Sequence, residues 1–558
     1  MAKRTKSSGV SKSATKAASA IKRASAKSTK STTSSATGKN HVTVRMFCHG
    51  LGDCFLVTFP IDKKTNYNLL IDCGVAKSAP YAAHDMPDVV RQIAKLTGGT
   101  IDLLVVTHEH WDHVSGFAQA AEEFAKLEVK HLWLAWTEDP RDKAAQTLRK
   151  DHQKAKLALA NAFAAASAPG AAPALGAIKT GLEGILQFWG PGDELPVSGR
   201  LGAAAKKGAL GTADALDIVK GLVKHAGNDG ISYLRPDGKV ISLAGAQESS
   251  FAGQVKVRVL GPPLATSDIH KLNSTTETFH KEARLQFDGA PWTWTTALNQ
   301  SSDVLGDGLT ADEHELERAM PFDARERIPI AEAAKQAFFR EHYFEGSAPP
   351  PDQPASSLAS RANTERRIDG DWLARGAEQL ALALNSYTNN ISLVLAIELP
   401  KSGKVLLFVG DAQVGNWLSW HKLEFEDDEP AKKGEAKKPL TMTDLFAKTV
   451  LYKVGHHGSH NATLKQKGLE LMTHPELVAM LPVDHEQAAK LSYGEMPLNS
   501  LVKSLKEHSD KRLLQIDEPW TGDDPPGEWP KQLIPPKCTT VSTDAKGVKF
   551  MEYTIVDQ

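Results

Sequence analysis

The feature that most restricts this chain is an apolar run, IDLLVVT (Ile101–Thr107), that delivers directly into His108-Glu109-His110-Trp111-Asp112-His113. After it, Val114–Leu127 carries apolar residues at helical spacing, and HLWLAW (His131–Trp136) is again strand-like. Strand, loaded loop, helix and strand make a βαβ unit, which sets the class as α/β. In such folds the loops at strand ends build the sites. Four metal-ligating side chains within six positions have little structural use. The bland alternative, a chance surface histidine cluster, is disfavoured by the strand before it and the helix after it.

The same pattern recurs along the chain. From His41, HVTVRMF, CFLVTFP and YNLLIDCG read as strands joined by the turns HGLGD and DKKTN, and a helix is expected around Asp85–Leu96. VKVRVLGPP (Val255–Pro263) is a further strand. ISLVLAIEL (Ile391–Leu399), a KSGK turn and VLLFVGDAQ (Val405–Gln413) form a hairpin whose second strand ends on Asp411. TVLYKVGHHGSHNAT (Thr449–Thr463) is a strand running into His456, His457 and His460, and the strand ELVAMLPVD and a helix near Leu498–His508 follow. Between these blocks, residues of about 139–239 are Ala- and Lys-rich with helical periodicity, and about 264–385 hold helices and the linker SAPPPDQP. The expected organisation is a tail at 1–40, one catalytic domain at 41–515 with two largely helical insertions, and a Pro-rich C-terminal extension at 516–558.

Charge is nearly balanced, 66 basic against 67 acidic residues, yet residues 1–40 hold Lys and Arg with no Asp or Glu, so the remainder is mildly acidic. By charge the body is not a dedicated nucleic-acid binder. The tail has too few large apolar side chains to offset its ordering entropy and is expected to be disordered, as a solubilising segment or a weak electrostatic contact to nucleic acid. Four cysteines (Cys48, Cys54, Cys73, Cys538) are too sparse for a disulfide framework and fit a reducing compartment. No apolar run approaches the ~18 residues of a membrane span, and no secretory signal is evident, so a cytoplasmic chain with no membrane partner is expected.

Imidazoles and carboxylates without thiolate suit Zn²⁺, with Mn²⁺ or Fe²⁺ as alternatives. Alternation in the loop lets His108 and His110 grip one ion while Asp112 and His113 turn to a second. THEHWDH resembles the His-x-His-x-Asp-His signature of the metallo-β-lactamase superfamily, and LLIDCG with Asp72, LLFVGD with Asp411 and KVGHHGSH continue the likeness in the same order. Within that superfamily HGLGDCFLV, LLIDCG, NNISLVL, FVGDA and VGHHGS are similar to the hydrolase domain of ComEC-type DNA-uptake proteins and their soluble relatives.

The resemblance implies an αββα sandwich and a metal-dependent hydrolase that uses a metal-activated hydroxide, with one or two zinc ions. It implies His108 and His110 on the first metal, Asp112 and His113 on the second, Asp411 bridging, and His457 completing the second shell. Asp112 would also orient the hydroxide, and His456 and His460 would meet substrate or leaving group. Two neighbours at a strand end point opposite ways, so only one of His456 and His457 can face the metal. Asp72 would support the ligand loop by hydrogen bonds, and Asp53 is expected to be a turn former. One departure stands out: the first-metal histidine that many members carry after an intervening strand is missing, since HLWLAW ends in Trp136, Thr137 and Glu138. The expected substrate is a phosphodiester, small or in nucleic acid; ester, lactone or thioester hydrolysis and a catalytically decayed metal-binding scaffold are the alternatives.

Overall fold

The computed structural model describes residues 40–558 apart from 77–84, 167–209, 224–229, 280–323, 344–368, 426–438, 491–494, 542–546 and the single positions 63, 273, 275, 327, 329 and 523. The 1–40 tail, Asn40 excepted, lies outside the described residues, as does most of the second insertion.

The strand-and-turn pattern of the N-terminal segment folds as β1 (His41–Phe47), β2 (Cys54–Pro60) and β3 (Asn66–Cys73), followed by β4 (Thr100–Val105), β5 (Glu128–Ala135) and β6 (Ile231–Leu234). The second half contributes β7 (Val240–Ser242), β8 (Lys256–Gly261), β9 (Val394–Glu398) and β10 (Val405–Phe408). A small ribbon, β11 (Glu424–Phe425) with β12 (Leu440–Thr441), precedes β13 (Thr449–Lys453), β14 (Val478–Leu481) and β15 (Leu513–Gln515). The chain then returns through β16 (Lys537–Val541) and β17 (Val548–Val556).

Two sheets result. One has the order β16-β17-β1-β2-β3-β4-β5-β6, the other β15-β14-β13-β10-β9-β8-β7. Their facing surfaces share one core, in which Phe55 of the first sheet meets Phe408 of the second edge-on at 5.8 Å. Strands covered on both faces are apolar almost throughout, which is why CFLVTFP and VLLF show no alternation.

Helices coat the outer faces. On the first sheet, α1 (Met86–Thr97) and α2 (Trp111–Gln119) bury Val89, Ile93, Val114 and Phe117. After α3 (Lys143–Ala166), α4 (Thr212–Leu222) adds Leu216 and Val219 to the same layer. The second insertion ends in α5 (Asp369–Asn390), and on the second sheet α6 (Val414–Trp420) and α7 (Asn499–His508) bury Trp417, Trp420, Leu501 and Leu505. The layers are therefore α, β, β, α, the metallo-β-lactamase sandwich expected from the sequence. Helices α3 and α5, one from each insertion, pack on each other.

Two boundaries differ from the sequence reading. Within the 139–239 insertion, Ile231–Leu234 form β6, an edge strand of the first sheet, and Val240 opens β7 on the edge of the second. Residues 516–558 are not an extension: β17 pairs antiparallel with β1 along its whole length, from His41 opposite Val556 to Phe47 opposite Phe550. The Pro-rich stretch before it masks a strand whose partner lies at the far end of the chain, and buried Arg45 seals the pairing by an ion pair to Glu552 at 2.7 Å. Among the described residues no helix is long and apolar enough to cross a membrane.

Candidate metal centre

Adjacent strands β3 and β4 run parallel, as do β10 and β13, so their C-terminal ends open side by side at one rim of the sandwich. Asp72 is the penultimate residue of β3, the His108–His113 segment runs from the loop after β4 into the first turn of α2, Asp411 follows β10, and His456 and His457 follow β13. This is the rim where α/β sheets place ligands.

The loops fit closely because two glycines let them. Backbone N–H of Asp53 donates to Asp112 O at 3.0 Å and that of Gly74 to Asp53 O at 3.0 Å. A Cβ on Gly52 would lie 2.3 Å from Gly74 O, and one on Gly74 only 2.4 Å from the Asp112 carbonyl carbon. The HGLGD turn is thus a packing surface for the ligand loop.

Four side chains converge, all fully buried: Asp112, His113, Asp411 and His457. His113 Nε2 stands 3.2 Å from Asp411 Oδ2 and 3.8 Å from Asp112 Oδ2. His457 Nε2 stands 2.8 Å from Asp112 Oδ2 and 3.8 Å from Asp411 Oδ2. Ligand atoms bound at ~2.0–2.1 Å in a tetrahedral shell lie about 3.3 Å apart, so this quartet has the spacing of one ion's ligands. Asp411 Oδ2, Asp112 Oδ1 and His113 Nε2 are buried without a hydrogen-bond partner, which is costly unless something else satisfies them. Beside them His108 Nε2 and His110 Nδ1 are 3.0 Å apart, a second converging pair. The residues present fit a metal centre.

The rings of His113, His457 and His108 are held from behind. His113 Nδ1 donates to Asp72 Oδ2 at 2.8 Å, and His457 Nδ1 to the Pro482 carbonyl at 2.6 Å. Asp72 also accepts from Thr107 N at 2.8 Å and Thr107 Oγ1 at 2.7 Å, so it orients the ligand loop as expected. Ser392 Oγ lies 3.3 Å from His108 Nδ1 and accepts from Asp411 N at 3.1 Å. Outer partners of this kind fix ring orientation and tautomer. His456 points elsewhere. Its ring nitrogens face Gln413 at 3.1 Å and Asn389 at 3.4 Å, while its backbone N–H donates to Asp411 Oδ1 at 3.1 Å. His460 is half-buried in the turn beyond, its carbonyl accepting from Phe279 N at 3.3 Å. The helix-ending Asn390 staples the Asp411 loop, accepting from Gln413 N and Asn416 N at 3.2 Å.

Backbone strain concentrates here. Asp72, His456 and His457 all adopt positive φ, at 54°, 42° and 51°, a region that L residues with side chains occupy at a cost.

Two charged residues join the centre that the sequence reading did not place there. Lys453, the last residue of β13, is 1% exposed, and its Nζ lies 2.5 Å from Asp53 Oδ2, 2.6 Å from Gly410 O and 3.3 Å from Asp411 Oδ1. Asp53 is therefore more than a turn former. One donor atom each of Asp53, His113, Asp411 and His457 lies within 4.8 Å of the others. Asp53 nevertheless approaches the Nδ1 atoms of His113 and His457, each at 3.8 Å, on the side of the rings away from Asp112. It backs the ligands and does not share their focus.

Electrostatics divide the histidines. Burial alone would lower the imidazolium of His113, but Asp411, Asp53, Asp112 and Asp72 outweigh it and hold its pKa well above the usual range. His457 is raised in the same way, by Asp411 and Asp112 against burial. Burial instead pushes His110 and His456 down to about 4, and His108 well below its ordinary value. Asp411 opposes its own burial through His113, Lys453 and His457 and stays ionised.

Among the described residues the missing first-site histidine is not supplied by another strand end. β5 runs out into Trp136 and Thr137, and β8 into Pro262 and Pro263. His131 sits on β5 against Gly245, and His270 packs on Tyr387 at 4.6 Å; His225 lies outside the described residues.

The family model for the Metallo-beta-lactamase superfamily matches residues 50–243. That span is similar to a superfamily whose members are generally metal-binding hydrolases. It holds Asp53, Asp72 and the His108–His113 motif, whereas Asp411, Lys453 and His457 lie outside it and join through the fold. No curated protein matches the chain.

Proposed function

We propose that the chain is a metal-dependent phosphodiesterase, acting on a small or nucleic-acid phosphodiester. The observation that carries the hydrolase reading is the buried quartet of Asp112, His113, Asp411 and His457, whose donor atoms face one point at ligand spacing with Asp411 Oδ2 and His113 Nε2 otherwise unsatisfied. These four would hold one ion, and His108 with His110 a neighbouring one; zinc suits the nitrogen and oxygen donors. When bound, such ions activate water near neutral pH and stabilise oxyanions.

The chain's own groups have defined tasks in this reading. Asp72 and the Pro482 carbonyl keep the His113 and His457 rings aimed by holding their Nδ1 protons. Asp112, whose Oδ1 is unpartnered, orients the attacking water. His456, kept neutral by burial between Gln413 and Asn389, would meet substrate or leaving group as a hydrogen-bond partner, and His460 lies in the turn beyond it. The phosphodiester preference rests on the likeness of the sequence blocks to a DNA-processing hydrolase and on the acid-free basic residues 1–40, which would raise local polynucleotide concentration.

The test uses full-length protein stripped and reloaded with Zn²⁺ or Mn²⁺, assayed on bis(p-nitrophenyl) phosphate, single-stranded DNA and p-nitrophenyl esters. Metal-dependent phosphodiester cleavage, reduced at least ~100-fold in Asp411→Asn, is expected. Turnover confined to esters would replace the substrate class. Protein that binds no metal, with turnover indifferent to Asp411→Asn, would overturn the hydrolase reading.

A further inference from the structure

We propose that Lys453 and Asp53 form a positioning pair that fixes Asp411 as a one-oxygen ligand, a proposal that rests on the metal-centre reading above. The geometry shows how. Lys453 Nζ has three hydrogen-bond donors and three acceptors within reach, Asp53 Oδ2, Gly410 O and Asp411 Oδ1. Asp411 Oδ1 is taken by that ammonium and by the His456 N–H at 3.1 Å, which leaves Oδ2 as the oxygen turned to His113 and His457. The same ammonium holds the Gly410 carbonyl, and Gly410 at φ 53° makes the turn that aims Asp411.

Asp53 completes the device from the other side. Its backbone N–H grips the Asp112 carbonyl and its backbone O the Gly74 N–H, so the side chain that pins Lys453 sits in the turn that also pins the ligand loop. One pair thereby ties the N-terminal sheet, which carries Asp112 and His113, to the C-terminal sheet, which carries Asp411 and His457. A free lysine would not do this, and a buried ammonium without carboxylates would be strongly disfavoured.

Both charges must be removed together to isolate the role, because deleting either alone leaves an unpaired buried ion. The experiment compares full-length wild type with Asp53→Asn/Lys453→Met. Zn²⁺ affinity is read by chelator competition, metal per chain by elemental analysis, and ligand geometry by the visible spectrum of the Co²⁺-loaded protein, with near-ultraviolet dichroism to report the fold. A ~10–100-fold loss of Zn²⁺ affinity and a changed Co²⁺ spectrum, in a folded variant, are expected. Affinity within threefold of wild type with an unchanged spectrum would overturn the proposal. Should the double variant not fold, Asp53→Asn alone, isosteric and with Lys453 left to Asp411 and Gly410, is expected to weaken Zn²⁺ in the same direction, and wild-type affinity there is equally fatal. Wild type that binds no metal refutes the metal-centre reading itself, an outcome separate from either.

Discussion

Gly74→Ala tests whether backbone contact between the N-terminal turns and the ligand loop positions the centre. A Cβ at this position would stand 2.4 Å from the Asp112 carbonyl carbon, 2.5 Å from His113 N and 2.6 Å from Asp112 O. Carbon contacts rest at ~3.5–4.0 Å, so the two segments must part by about 1 Å. Neither can yield by rotating a side chain, since the obstructing atoms are backbone. Gly74 is also held by its N–H to Asp53 O at 3.0 Å and its carbonyl to His49 Nε2 at 2.6 Å. Overpacking of this kind costs ~1–3 kcal/mol. Displacing catalytic groups by ~1 Å costs on the order of 10²-fold in rate, which is the larger effect to look for. The assay is Zn²⁺ affinity and bis(p-nitrophenyl) phosphate turnover alongside the thermal midpoint, with Gly221→Ala as control because a Cβ there meets nothing within 4 Å. The control should be neutral or slightly stabilising. Gly74→Ala with wild-type metal affinity and turnover would show that the glycine contact does not place the ligands.

Two further outcomes are expected. His457→Ala should release metal more completely than the ~10–100-fold loss typical of an outer hydrogen-bond partner, whereas His456→Ala should keep it and lose turnover; elemental analysis of both variants decides, and equal metal loss would contradict the different aims of the two rings. His152, on α3 and ring-stacked with Tyr387 at 6.3 Å, is pushed down to about 4 by burial, with Lys156 and His270 adding to the effect against Glu109. Its folded pKa lies below the unfolded value of ~6.5, so between those limits the unfolded chain binds the extra proton and stability is lost as pH falls through 6.5 toward 4, by at most ~3 kcal/mol. His152→Phe keeps the ring without the proton. Urea midpoints should therefore separate from wild type only below pH ~6.5, and a gap constant from pH 7 to 4.5 would refute the assignment.

Much of the centre is legible in the sequence because its ligands follow apolar strands. Ile101–Thr107 and Val405–Val409 announce buried strands, and a polar residue placed just after such a run has to lie at a strand end. Asp53 and Lys453 were harder, for opposite reasons. Asp53 sits among glycines, where an Asp ordinarily reports a turn, and only the contact between Gly52, Gly74 and Asp112 shows that the turn is packed under the site. Lys453 carried a signal that goes unused in a motif search: a lysine closing TVLYK, in a strand buried at every position, needs a carboxylate partner inside the protein. The closing strand β17 does carry a local strand pattern in VKFMEYTIV, but its place in the domain could not be read from it, because it pairs with β1 at the far end of the chain. The insertion boundary failed for a related reason, since three- and four-residue edge strands carry too few side chains to show a period.

The energetics of the centre argue that it is held for chemistry and not for stability. Four buried carboxylates, Asp53, Asp72, Asp112 and Asp411, crowd around one buried ammonium and two imidazoles whose protonation they favour. Well-packed apolar residues of similar volume would commonly be as stable or more so, because desolvating ions offsets most of their attraction. Positive φ at Asp72, His456 and His457 adds strain of ~1–3 kcal/mol each. Everything that opposes stability here serves one end: it aims Asp112, His113, Asp411 and His457 at a common point and backs His113, Asp411 and His457 with fixed partners. A cation at that point would discharge the histidine protons and satisfy the orphaned oxygens together. That is why Asp72, Asp53 and Lys453, which face away from the point, should matter to metal affinity nearly as much as the residues that face it.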